Sequence, residues 1–151
     1  MSKSYNPYKT YNQLSTPDEN IKKDGRVFEA DSLHDVEDKI KGSKYTIVDI
    51  YANWCGPCKS FKPIFSDLSL KYKNITFISF DIDKVKDDNT NRNTIFTTTD
   101  VSRVPIFTTK DVSGVPTFKF YVNIDSNITM PFPPINGGSR NEIENILNQM
   151  I

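Results

Sequence analysis

Hydrophobic positions are scarce at the start of this chain and periodic after it. Residues 1–24 are rich in Tyr, Asn, Ser and Lys, with hardly an aliphatic side chain, which predicts a flexible arm. From Arg26 the pattern becomes that of a packed domain, taken as residues 25–151. Val27-Phe28-Glu29-Ala30 reads as a short strand. Ser32 with Asp35 three residues on predicts a capping box, and Leu33, Val36 and Ile40 share one face of the helix that follows, with Gly42 placed to end it. The run Tyr45–Tyr51 is rich in β-branched and aromatic side chains and predicts a strand. Phe61, Phe65, Leu68 and Tyr72 then recur at helical spacing, with Pro63 expected to kink the helix that carries them. Ile75–Ile82 is nearly continuous in apolar residues and predicts an interior strand.

A polar stretch at residues 84–94 breaks the periodicity, and a tandem repeat follows it. The eleven residues Ile95–Pro105 recur as Ile106–Pro116, differing only at Thr99/Lys110 and Arg103/Gly114. Two copies are too few for a solenoid, so residues 84–105 are read as a lengthened loop, which a surface tolerates at modest entropic cost. Pattern resumes with the strand-like Thr117–Val122, a turn at Asp125-Ser126-Asn127, and Ile128–Met130 as an edge strand stopped by Pro131, Pro133 and Pro134. After Gly137-Gly138, Ser139 and Glu142 form a second capping box for a helix whose buried stripe is Ile143, Ile146, Leu147 and Met150.

Composition adds mostly exclusions. The 151 residues suffice for one core without metal or several disulfides. Lys plus Arg equals Asp plus Glu at 19 each, so no net field favours nucleic acid or an anionic membrane. The longest apolar runs are of strand length, and the N-terminal residues lack the apolar stretch of a secretory signal. A monomer is expected.

The chemistry concentrates in Trp54-Cys55-Gly56-Pro57-Cys58-Lys59, which holds the only two cysteines. This motif follows a strand and opens a helix. The unpaired N–H groups and partial positive charge of a helix N-terminus favour the thiolate at Cys55, and Cys58, one turn on, can reach the same sulfur. Pro57 suits a first turn because it lacks an N–H, and Gly56 leaves room for an incoming chain. Three readings stand open on spacing alone: half of a zinc site, a structural disulfide, or a redox dithiol. His34 and the carboxylates are the only further ligands available to zinc, and His34 reads as a surface position on the first helix. No metal is expected. Two cysteines without others suit a reducing compartment, so a cytoplasmic protein is expected; the excess of Asn, Lys and Ile over Ala and Gly suggests an AT-rich genome and, as the alternative, packaging in a virus particle.

From about Val27 to Ile151 the chain resembles thioredoxins, especially the eukaryotic type. The resemblance rests on Val48–Lys59, Lys62-Pro63, Lys71-Tyr72, Asp81-Ile82-Asp83 and Gly114-Val115-Pro116-Thr117-Phe118, in the family's order. It implies an α/β fold of three layers, α/β/α, with a central mixed sheet, and a protein-disulfide reductase using Cys55 as nucleophile and Cys58 as resolving thiol. It further implies that Asp49 is a buried acid exchanging a proton with Cys58, that Pro116 is a cis-proline, and that Trp54, Gly56, Pro57, Val115, Pro116, Thr117 and Gly137 border the substrate. No bound cofactor is implied. Disulfide-containing proteins would be the substrates, and a thioredoxin-reductase-like partner drawing on NADPH would restore the dithiol. Disulfide isomerase or oxidase activity, or a binding subunit that uses the fold without its redox chemistry, are the alternatives. Two departures are visible: Ser79 stands where many relatives place Lys or Glu facing the buried acid, and Val104-Pro105 competes with Val115-Pro116 for the cis-proline loop.

Overall fold

The structure is a computed structural model that describes residues 25–88 and 105–151. The N-terminal arm and most of the lengthened loop, Val104-Pro105 included in part, lie outside the described residues. The elements run β1 (Val27–Ala30), α1 (Leu33–Lys41), β2 (Tyr45–Tyr51), α2 (Gly56–Lys71), β3 (Thr76–Asp81), a 3-10 helix (Ile82–Asp88), β4 (Thr117–Ile124), β5 (Asn127–Thr129), β6 (Ile135–Asn136) and α3 (Arg140–Met150). The sheet order is β1-β3-β2-β4-β5, with β6 also paired to β4. Strands β1, β3 and β2 are parallel, while β4 is antiparallel to β2, β5 and β6. This is the expected mixed sheet, and β3 is interior as its apolar run requires.

Strand parity sorts the side chains onto two cores. Ile47, Phe77, Phe118 and Phe120 face α2 and α3, where they meet Phe61, Phe65, Leu68, Ile143, Leu147 and Met150. Val48, Ile50, Ile78, Phe80 and Tyr121 face the other way, toward Val36 and Ile40 of α1. Phe118 is central to the first layer, its ring 4.9 Å from Phe61 and 6.0 Å from Phe65. Pro63 sits inside α2, which nevertheless runs unbroken from Gly56 to Lys71.

Among the described residues, the cover of the second face beside α1 contains no further α-helix. Residues 105–113 lie there as turns, tethered by two side chains. Glu37 of α1 accepts the N–H groups of Ile106 at 2.7 Å and Phe107 at 3.1 Å. Lys119 of β4, almost wholly buried, donates through Nζ to the Thr108 carbonyl and to Asp111 Oδ1, both at 2.7 Å. Between these tethers Phe107 is buried edge-on against Phe80 and Tyr121.

Helix ends match expectation in part. Ser139 and Glu142 form the reciprocal capping box. At α1 only half of the box exists: Ser32 Oγ accepts the Asp35 N–H, but the Asp35 carboxylate reaches back to the N–H of Asp31 and not to that of Ser32. The residues after Asp81 form the 3-10 helix, a correction to their reading as plain polar loop. The two-residue β6 was not anticipated.

Helices α2 and α3 are also joined by a polar clamp. Glu144 accepts from Lys71 Nζ at 2.6 Å, Tyr72 Oη at 2.8 Å and Arg140 Nε at 2.9 Å. The hydrogen bonds from Lys71, Arg140 and Tyr72 hold its carboxyl down to about 2. A carboxyl depressed in the fold stabilises above its unfolded value near 4.5 and loses that contribution as pH falls through the folded one. Glu144→Gln should therefore be less stable than the wild type above about pH 5, the gap closing between about pH 5 and 2 in urea titrations. Phe118→Ala should lower unfolding free energy by about 3–5 kcal/mol with little change in the denaturant slope.

Candidate active site

The two cysteines sit where β2 ends and α2 begins. Cys55 is the N-cap of α2, with extended backbone at φ −90° and ψ 116°. Its sulfur accepts the N–H of Cys58 at 3.1 Å, the role that a serine or aspartate oxygen plays at an ordinary helix start. Cys55 and Cys58 are joined as a disulfide. Both are nearly covered, at 5% and 4% exposure, packed with Ala52 and bordered by Tyr51, Ile82 and Val115. Gly56 and Pro57 are exposed beside them, and a Cβ added at Gly56 would meet nothing within 4 Å. The approach to the sulfur pair is therefore open on that side.

The opposite border is the loop before β4. The Val115–Pro116 peptide is cis. The carbonyl oxygen of Val115 lies 3.6 Å from Cys55 Sγ. Thr117 Oγ1 donates to the Gly114 carbonyl at 2.6 Å, and the N–H of Gly137 donates to the Pro116 carbonyl at 2.8 Å. Gly137 adopts φ +77°, a conformation that favours glycine, and is exposed at the same rim. The sequence expectations for Val115, Pro116, Thr117 and Gly137 thus converge on one edge of the disulfide.

Trp54 is 70% exposed on the surface next to the cysteines, its ring Nε1 donating to Asp83 Oδ2 at 2.9 Å. Asp83 is positioned in turn, because its N–H donates to Asp81 Oδ1 at 3.0 Å, while Asn53 Nδ2 donates to the other Asp81 oxygen at 3.1 Å. A short polar chain from β3 therefore fixes the residues on either side of the β2–α2 turn.

Asp49 lies in mid-strand on the face covered by α2, paired across the sheet with Ser79 on β3 and Phe118 on β4. It is 4% exposed, and its Oδ1 has no hydrogen-bond partner within the chain. Burial, reinforced by the charge of Glu29, pushes its carboxyl up to about 8, so at neutral pH it holds a proton that it can exchange near the working range of a thiol. Glu29 is a second perturbed acid that sequence reasoning passed over. Its Oε2 accepts the Tyr51 hydroxyl at 2.7 Å, and its Oε1 is buried and unpaired. The alternation in β1 could have revealed it, since Glu29 shares the parity of the inward-facing Val27.

The metal reading fits less well than the redox one. His34 is exposed on α1 and lies 3.2 Å from Asp38, and among the described residues no group of three or more His, Cys, Asp or Glu side chains is arranged to hold a metal ion.

Comparison with known proteins shows what these features are similar to. Residues 28–95 match the family model described as Thioredoxin. The chain is 50% identical over 58 residues to a thioredoxin of Borreliella burgdorferi, covering 38% of this chain and 50% of that protein. It is 52% identical over 46 residues to a thioredoxin of Oryctolagus cuniculus, covering 30% and 44%. The matched stretches thus span half or less of these curated relatives. In three dimensions the fold is shared with Trichomonas vaginalis thioredoxin at a TM-score of 0.60 and 20% identity, over 84% of this chain and 97% of that one. It is shared with Plasmodium falciparum thioredoxin at 0.57 and 21%, over 80% and 96%. With its disulfide at a helix start and its cis-proline border, the chain is similar to thioredoxins in the matched residues and shares their fold.

Proposed function

We propose that this protein is a thiol–disulfide oxidoreductase that reduces disulfides in other proteins through Cys55 and Cys58. The observation that carries the reading is the setting of the Cys55–Cys58 disulfide: it caps α2, faces the Val115 carbonyl across an open border, and follows the strand whose buried Asp49 holds a proton near neutrality. A structural bridge over so short a loop would constrain the unfolded chain little. A disulfide at a helix N-terminus gains instead from every N–H group that stabilises a departing or attacking thiolate.

In the reduced protein the Cys55 thiolate attacks one sulfur of a substrate disulfide. A Cys55–substrate bond forms and the other substrate sulfur leaves as a thiolate. Cys58 then passes its proton to the ionised form of Asp49 and attacks the Cys55 sulfur. The Cys55–Cys58 bond forms, the second substrate sulfur is expelled, and two electrons have moved from the protein to the substrate. The backbone around Val115 and Thr117 is the natural edge for an extended substrate segment, which orients its disulfide toward Cys55. A thioredoxin-reductase-like partner using NADPH is the proposed source of fresh electrons, since the cycle leaves the cysteines oxidised. A reducing compartment such as the cytoplasm suits this direction of transfer; packaging in a virus particle is the alternative location.

With dithiothreitol as reductant the protein is expected to speed the precipitation of reduced insulin. Cys55→Ser should abolish this, and Cys58→Ser should accumulate a mixed disulfide visible on non-reducing gels; equal residual turnover in the two variants would contradict the assigned roles.

Asp49 supplies a second test. A carboxyl raised in the fold is tolerated below its unfolded value near 3.8 and costs stability as pH rises through the folded value near 8. Asp49→Asn should therefore gain stability over the wild type between about pH 4 and 8, levelling above that at a difference on the order of 6 kcal/mol. The same variant should resolve mixed disulfides about 10²-fold more slowly in stopped-flow measurements.

A further inference from the structure

We propose, on the basis of the oxidoreductase reading above, that Glu29 and Asp49 work as one coupled carboxyl pair, with Glu29 a positioning residue that governs how readily Asp49 takes the proton of Cys58. The argument begins with register. In the parallel ladders Glu29 of β1 and Asp49 of β2 are both opposite Ser79 of β3, so the three residues form one row across the sheet and point to the same face. Two acids therefore flank an uncharged serine in a region covered by α2. Each keeps one buried oxygen without a hydrogen-bond partner in the chain, Oδ1 of Asp49 and Oε1 of Glu29. Two such carboxyls at about twice the strand spacing cannot ionise independently, because the charge of one raises the cost of the other in a poorly solvated layer.

The surroundings of Glu29 give it a different task from Asp49. Tyr51 of β2 donates its hydroxyl to Oε2 and favours the carboxylate. Lys84 of the 3-10 helix favours it too, and itself pairs with Asp31 just beyond β1 at 3.0 Å. Asp81 of β3 and Asp31 oppose it. From α2, Cys58 is buried at the helix start and Ser69 Oγ accepts the Arg26 N–H just before β1. Burial outweighs the favourable partners and pushes Glu29 up to about 7. The acid nearer solvent thus ionises first, and its charge then keeps Asp49 a stronger base. No neighbouring cation is needed in the place of Ser79, since the adjustment comes from the next strand.

The test uses the full chain in its oxidised state, with carbon-13 at the Asp and Glu side-chain carboxyls, titrated by NMR. In Glu29→Gln the midpoint of Asp49 should fall by about one pH unit. In Asp49→Asn the midpoint of Glu29 should move much less, because Glu29 ionises while Asp49 is still neutral. Tyr51→Phe offers a variant that leaves both acids in place: Glu29 should titrate higher and Asp49 lower. These titrations need no substrate, so they are separable from the fate of the oxidoreductase reading. In Glu29→Gln the pH profile of mixed-disulfide resolution should move to lower pH by the same interval. An Asp49 midpoint unmoved by Glu29→Gln, or a resolution profile unmoved while the midpoint shifts, overturns the proposal.

Discussion

Asp49 sits in the middle of the central strand pair, beside Phe118 and under the first turns of α2, and the cost of ionising it there organises the rest of the site. A protonated carboxyl can be buried for a few kcal/mol, whereas a carboxylate in the same place is far dearer. The strand that leads into the cysteine turn therefore carries a proton store in its buried middle. Opposite it, the N-terminus of α2 delivers the reverse polarity, with the Cys58 N–H directed at the Cys55 sulfur. Around one turn the chain thus sets two preferences, an acid on β2 that stays neutral and a helix end that favours negative charge.

Precision at the border comes from backbone contacts more than from bulk. Thr117 closes onto Gly114, Gly137 onto Pro116, and β6 pairs with the first residues of β4, so three short contacts fix the turn that faces Cys55. On the other side, Asp81 holds both Asn53 and the N–H of Asp83, which holds Trp54. The exposed indole is therefore directed by a polar chain rooted in the sheet while its faces remain accessible to a docking protein.

Most of the framework was legible because it obeys a period. The 3.6-residue stripes of α2 and α3, the apolar run of β3 and the Ser139–Glu142 box all depend on neighbours close in sequence, and they appear where expected. Cys55, Cys58 and Asp49 were legible through the motif and the six-residue offset between acid and thiol. Glu29 was not, because its importance arises only when β1, β3 and β2 fall into register, a relation between residues twenty to fifty positions apart. The Asp35 carboxylate went to Asp31 because a second acceptor geometry competes at the same helix start, which spacing alone does not resolve. The 3-10 helix lacked an apolar stripe, and β6 is too short to show any period.

The tethers of the 105–113 segment all act on the second member of the tandem repeat. Glu37 grips the N–H groups of Ile106 and Phe107, Lys119 grips Thr108 and Asp111, and Phe107 fills the core. Each of these anchors lies downstream of Pro105, on the copy of the repeated eleven residues that begins at Ile106. A copy fastened at once to α1 and β4 holds the chain's approach to the cis-proline at a set length.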